Sequence, residues 1–303
     1  MTRYIVKRVI LAILTIFIVC AITFFAMNAI PGGPFNSEKA LSPATKAALE
    51  KRFNLDKPVP VQFILYMGNI MHGDFGVSMK TGRDIAETIR TSFSISAKIG
   101  LMAVVVALIC GLIFGSMAAL MRNKWPDRLI VFLTTIATAV PSFVLASLLL
   151  LVFCIQLKWF PVWDAEHQNY LLPVIALSLY PMAYITRLTK TSMLDALGQD
   201  YVRTARAKGV PTWKVIFKHA LRNALIPVIT YVGPMTAGVL TGSLVVENIF
   251  TIGGLGAKFV TSITNRDYPM IMGTTIFLAV IMIFINLISD IVYKVVDPRI
   301  TFD

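Results

Sequence analysis

From residue 9 to residue 30 the chain carries no charged side chain, and no other feature restricts its fold as much. A helix needs about 20 apolar residues to cross a hydrocarbon core, and only structures that satisfy their backbone hydrogen bonds internally can do so. Arg3, Lys7 and Arg8 precede this run and Pro31-Gly-Gly-Pro34 follows it as a helix stop. A cleaved signal peptide would have a shorter apolar core and a small-residue cleavage site before a polar start. The run is therefore read as a first span with its amino terminus inside.

Five further uncharged runs occupy residues 99–121, 129–157, 170–186, 225–246 and 270–289. The third span is interrupted by Pro141, and the short fourth contains Pro173 and Pro181. The fifth holds Pro227, Gly233, Pro234, Gly238 and Gly242. The expectation is an all-α polytopic membrane protein with six transmembrane helices. Composition agrees, since 56% hydrophobic residues and a mean hydropathy of +0.74 exceed globular usage of about 45–50%. Three divisions are expected: 1–30 as amino terminus and first span, 31–98 as an external region, and 99–303 as a core with five spans.

A net charge of +12 could point to nucleic acid, but its distribution points to membrane topology. With six spans, the short inner segments hold Arg3, Lys7 and Arg8, then Arg122, Lys124 and Arg128, then the basic residues from Arg187 through Arg222, then Lys294 and Arg299. Short outer loops hold only Lys158, Lys258 and Arg266. That bias places both termini and the basic segment on the cytoplasmic side.

Within the basic segment, Asp200 to Lys208 reads as a short helix, acid first and base last, as the helix dipole prefers. Gly209 ends it, because the left-handed conformation at a helix end carries no Cβ penalty for glycine. Pro211 fits the first turn of a second helix that runs on from Thr212. The spacing predicts helix, glycine corner, helix on the polar side of the membrane.

Other motifs are less informative. Ser42-Pro43 signals a helix start, with helical spacing until Asn54. Residues 62–71 are apolar but too short to span, so they lie along the surface or pack on the bundle. Asp74-Phe75-Gly76 lacks the glycine-rich loop and catalytic-loop motif of a kinase. Cys20, Cys110 and Cys154 each fall in an apolar run with no metal-ligand spacing, and His72, His167 and His219 sit in three separate polar segments; neither a metal site nor a catalytic triad is expected. No Gly-x4-Gly-Lys-Ser/Thr loop occurs, and Gly253-Gly-Leu-Gly256 is read as part of an outer loop. Asp290, an acid near a span end, is read first as reaching the interface.

The stretch Arg203-Thr-Ala-Arg-Ala-Lys-Gly209, followed by His219-Ala-Leu-Arg-Asn-Ala-Leu-Ile-Pro227, resembles the coupling loop of permease subunits of binding-protein-dependent ABC importers, in its peptide and nickel variant. Gly209, Ala205 and Leu221 match the general pattern of that loop, while other positions depart from it. The stretches Pro31–Pro34, His72–Ser78, Gly242-Ser-Leu-Val-Val-Glu247, Gly253–Gly256, Asn265-Arg-Asp-Tyr-Pro269 and Asp297-Pro-Arg-Ile300 extend the resemblance over nearly the whole chain, which is most like the B-type subunit of oligopeptide permeases. It implies a type I importer core with an external helical insertion between the first two spans. It also implies an ATPase-coupling segment at 187–224, with Asp200, Tyr201, Arg203, Thr204, Ala205, Arg206, Ala207, Lys208 and Gly209 as its contact residues.

The family further implies a homologous second permease, two cytoplasmic ATPases that bind ATP and Mg, an external peptide-binding protein, and a bacterial inner membrane. No cofactor is expected on this chain, and no ATPase site of its own. Pro181, Pro234 and Gly238 are expected to line the pathway, since broken helices are tolerated where freed backbone groups face protein or water; tight packing at Gly238 and Gly242 is the competing reading. Oligopeptides are the expected cargo, with dipeptides, nickel complexes, glutathione or haem open. A secondary transporter or channel would more often show paired intramembrane charges or an inverted repeat, and a membrane enzyme would need convergent catalytic groups.

Overall fold

The computed structural model describes residues 2–35, 42–164, 166–241 and 244–296. Gly242, Ser243 and the stretch Asp297 to Ile300 lie outside the described residues. Among those described, the structure is helical, with one isolated β-bridge between Val77 and Asp84. Among the described residues, five helices are long and apolar enough to cross a membrane, and a sixth span is counted if the bent pair at 125–156 is one. The chain divides into two compact units, residues 1–95 with 253–283, and residues 96–252 with 284–302.

The first unit contains α1 (Thr2–Ala29), α2 (Pro43–Arg52), α3 (Val59–Met71), the start of α4 (Ile85–Leu120), α12 (Leu255–Thr264) and the start of α13 (Tyr268–Val296). Because α1 is apolar on every side, its sequence could not show which face packs. The buried face is Cys20, Phe24 and Met27, at i, i+4 and i+7, while Ile10, Ile13 and Ile22 stay exposed as lipid-facing residues do. Phe63 of α3 seats on that stripe, 5.3 Å from Phe24 between ring centroids, so the short apolar helix packs rather than spans. Ser42 accepts from the Thr45 N–H at 3.2 Å and Asn54, at φ +57°, lies just past the end of α2.

Three sequence motifs meet around Arg266 and Asp267, the latter a buried acid. Ser78 donates to its Oδ2 at 2.5 Å and the Met79 N–H donates to Oδ1 at 3.0 Å. Arg266 donates to the carbonyls of Pro31 at 2.9 Å and Gly33 at 3.3 Å, and the Lys80 ammonium donates to Pro34 at 2.8 Å. The supposed outer loop at 253–256 differs from expectation: Gly254 is the N-cap of α12, which buries Leu255 and Gly256.

The second unit contains the rest of α4, α5 (Trp125–Ala139), α6 (Ser142–Leu149), α7 (Leu171–Leu197), α8 (Asp200–Ala207), α9 (Thr212–Lys214), α10 (Arg222–Thr241), α11 (Leu244–Ile249) and the rest of α13. Two π-helical stretches, Leu150–Gln156 and Val215–Leu221, were not legible in the pattern. Half of the α7 span is buried against 11% of α1, which makes α7 the central helix of its unit. Gly111 and Gly115 let α4 approach it, since a Cβ on Gly115 would sit 2.6 Å from the Thr186 carbonyl and one on Gly111 2.7 Å from Ile185. Such small residues four apart permit close backbone contact between membrane helices.

One span boundary differs from expectation, and one interruption falls where the sequence placed it. The helix α7 does not end at Thr186 but runs on through Arg187 and Lys190 to Leu197, because its charged residues find partners on α5 rather than leaving the bundle. The third span breaks at Pro141 into α5 and α6, which meet at 100°. Proline cannot donate within a helix and pushes the residue before it to extended geometry, and Val140 adopts φ −83°, ψ 124°.

Candidate functional site

The predicted corner is built from residues 200–215. Asp200 starts α8 and Arg206 lies in its last turn. Val202 and Ala205 turn inward onto fully buried Val215, with Leu197 and Val210 packed against them. Outward lie Asp200, Tyr201, Arg203, Thr204, Arg206, Ala207, Lys208 and Gly209. Of the nine residues the sequence assigned to this contact, Ala205 is thus turned away from any partner surface, because its small side chain is what lets α8 lie on Val215. The Asp200–Arg203 ion pair, 3.4 Å long, is wholly in solvent and such pairs contribute little.

Gly209 has φ +74°. Its N–H donates to the Arg206 carbonyl at 3.0 Å and the Val210 N–H donates to Ala205 at 3.1 Å, the paired 5→2 and 6→1 bonds of a Schellman end. Val210 packs back on Ala205, completing the hydrophobic contact that accompanies such ends. Pro211 sits one position earlier than the sequence reading placed it, as the N-cap of α9.

A second feature of this unit is a cavity of about 580 Å³ at the Pro141 break, lined by residues 138–143, Leu177, Tyr180, Pro181, Tyr231, Met235, Gly238 and Val239. Pro181 leaves the Leu177 carbonyl without its helical donor, and Leu177 faces the cavity. Of the three residues expected to line a pathway, Pro181 and Gly238 are there, and Pro234 is exposed on α10 outside the lining. A Cβ on Gly238 would meet nothing within 4 Å, so close packing within this chain does not account for that glycine.

The side of α7 leading from this cavity is polar. Tyr180, Tyr184, Arg187, Thr191 and Asp195 are all exposed at steps of three and four, one helix face. Residues Ala183, Ile185, Thr186, Thr189, Met193 and Ala196 form the buried face. Tyr184 stacks on Tyr231 of α10 with centroids 4.2 Å apart. The Arg187 guanidinium reaches α5, where Nη2 donates to the Thr134 carbonyl at 3.0 Å and to Thr138 Oγ1 at 2.6 Å.

Toward the α8 end, buried Asp127 accepts from the Asn123 N–H at 2.9 Å and from the Lys190 ammonium at 2.5 Å. The sequence reading did not single out Asp127, Lys190 or the tyrosines. The α7 face was nevertheless spelled by the i, i+4, i+7 recurrence of Tyr180, Tyr184 and Arg187; ending the span at the first charge concealed it.

Comparison with known proteins bears on this architecture. Residues 111–302 match the family described as "Binding-protein-dependent transport system inner membrane component", and residues 1–106 match "Binding-prot-dependent transport system membrane comp, N-term". The chain is 45% identical over 303 residues to the dipeptide transport system permease protein DppB of Bacillus subtilis (strain 168), covering 99% of this chain and 98% of that one. It is 40% identical over 306 residues to the oligopeptide transport system permease protein OppB of Salmonella typhimurium, covering 100% of both. Among solved structures, inward-facing MetNI methionine ABC transporter superposes with a TM-score of 0.58 at 15% identity, covering 70% of this chain and 97% of that one, a likeness of fold alone.

Proposed function

Because the chain belongs to the binding-protein-dependent transport system inner membrane component family, we propose that it forms one half of the pathway through which an ATP-driven importer carries oligopeptides into the cell. It is the permease subunit of a peptide importer, a multi-pass protein of the inner membrane. Both dipeptide and oligopeptide permeases are among its full-length relatives, so dipeptides are the second reading of the cargo. The observation that carries a pathway role is the exposed polar face of α7 inside a membrane-spanning helix. Lipid does not accommodate such a face, which therefore meets water or protein.

In this reading the pathway runs past Pro181 and Gly238, and a homologous second permease supplies the facing half. Two separate ATPases bind ATP and Mg on the cytoplasmic side, where both termini also lie, and an external binding protein delivers the peptide. Their closure presses on the outward face of α8. The Schellman corner at Gly209 is rigid enough to pass that motion to α9 and α10, while α8 is joined to α7 by the two-residue turn Gly198-Gln199. The helices α7 and α10 bound the cavity, so displacing them opens or closes it, which is alternating access.

The test is uptake of radiolabelled tri- to pentapeptides and dipeptides into proteoliposomes holding the assembled complex and its binding protein. ATP-dependent accumulation of the longer peptides, with no ATP hydrolysis by this chain alone, is expected. Accumulation of dipeptides only would move the cargo to the second reading, and hydrolysis by the isolated chain would refute the assignment of the motor to other subunits.

A further inference from the structure

We infer that Arg187, at the edge of the Pro141 cavity, recognises the carboxylate terminus of a peptide in transit, with Tyr180, Tyr184 and Tyr231 forming the surface along which the rest of the peptide lies. This rests on the peptide-importer reading and adds a chemical point of contact to it.

Arg187 lies deep within the span. Sixteen residues separate it from the start of α7 at Leu171, about 24 Å along a helix rising 1.5 Å per residue, and Leu197 lies about 15 Å beyond it. An arginine at that depth is costly and is retained where it faces protein or a water-filled path. On α5 its partner Thr134 lies nine residues, about 13 Å, past Trp125, so the guanidinium is held within the span on both helices.

The guanidinium is only partly engaged. Both of its hydrogen bonds leave from Nη2, to neutral oxygens of Thr134 and Thr138. Among the described residues Nη1 and Nε have no acceptor, and Arg187 has no ion pair. This contrasts with Lys190 one turn away, whose charge is matched by Asp127 at 2.5 Å. One cation of the α7–α5 contact is thus neutralised and the other keeps its charge and its planar donor edge, the geometry that pairs with a carboxylate.

Its surroundings suit a peptide. Thr138, which orients the guanidinium, also lines the 580 Å³ cavity, and Tyr184 lies one turn before Arg187 on the same exposed face. Tyr180 and Tyr231 line the cavity itself. Aromatic faces accept varied side chains with little penalty, whereas every linear peptide ends in the same carboxylate. Arg187 therefore reads the feature common to all such cargoes and the tyrosines tolerate the feature that varies.

The experiment uses the complete permease–ATPase complex in nanodiscs without the binding protein. Equilibrium binding of radiolabelled trialanine is compared with that of trialanine amide, which lacks the terminal charge. Wild type is expected to favour the acid by about tenfold or more, the size of a charge-assisted hydrogen-bonded pair. Arg187→Gln should bring the ratio to about one by weakening the acid far more than the amide, and Thr138→Val, which loosens the guanidinium without removing its charge, should give an intermediate ratio. The inference is overturned if wild type binds acid and amide equally, if it binds neither at about 10 mM, or if Arg187→Gln weakens both alike, as a purely structural tie between α5 and α7 would. Failure of peptide uptake by the wild-type complex with its binding protein would instead refute the importer reading beneath it.

Discussion

Gly209→Val separates a role for the corner in transport from a role in folding. At φ +74° a side chain strains the backbone whatever its surroundings, by about 1–2 kcal/mol and more for a β-branched residue. No steric term is added, because a Cβ there meets nothing within 4 Å. The corner could escape the strain by leaving the left-handed region. It would then lose the bonds from Gly209 to Arg206 and from Val210 to Ala205, about 0.5–1.5 kcal/mol each, and lift Val210 from Ala205 and Val215. Either route costs on the order of 2 kcal/mol, enough to shift a local equilibrium by more than tenfold.

Asparagine tolerates the left-handed conformation and should cost only a few tenths of a kcal/mol. Neither change touches a span, so membrane amounts should match wild type. The assay is peptide uptake and co-purification of the ATPases for Gly209→Asn and Gly209→Val side by side. Active Asn with inactive Val supports a left-handed corner through which motion passes. Wild-type uptake by Gly209→Val would refute the reasoning, since a strained or relaxed corner would then transmit as well as the native one.

The two glycines of the central helices should behave oppositely. Gly115→Ala drives a Cβ to 2.6 Å from the Thr186 carbonyl, a backbone atom that cannot turn aside, and should lower stability by about 1–3 kcal/mol, read as a lower melting temperature in detergent. Gly238→Ala meets nothing within 4 Å and should melt as wild type does; a large drop would show that Gly238 is packed after all. Asp127→Asn removes the counter-charge of Lys190, which keeps only about a fifth of its side-chain surface exposed, and should destabilise by about 3 kcal/mol, the low end for a broken buried pair. Adding Lys190→Met should recover most of that loss, and a double variant as unstable as the single one would show that the ion pair is not what holds α5 to α7.

Local chemistry alone determined a large part of this protein. Uncharged runs close to the thickness of a bilayer can satisfy their backbones there only as spanning helices, so the number and order of spans followed from the sequence. The corner followed as well, because an acid-first, base-last segment closed by Gly209 has a single low-energy ending. Tertiary structure decided which residues those helices bury. A helix apolar all round, such as α1, does not reveal that Cys20, Phe24 and Met27 are its packed face; only the approach of Phe63 and of Tyr268, Ile271, Met272 and Ile276 on α13 makes that choice.

A charge marks the end of a span only when it lacks a partner inside the bundle. The extension of α7 through Arg187 and Lys190 therefore depended on Thr134, Thr138 and Asp127, which lie 49 to 63 residues from their partners in sequence. The same holds for Asp267, an ordinary loop acid until Ser78 and Met79 fold onto it. Backbone conformation at a glycine is a short-range property and can be read from neighbours in sequence, whereas the partner of a buried charge is fixed by neighbours in space.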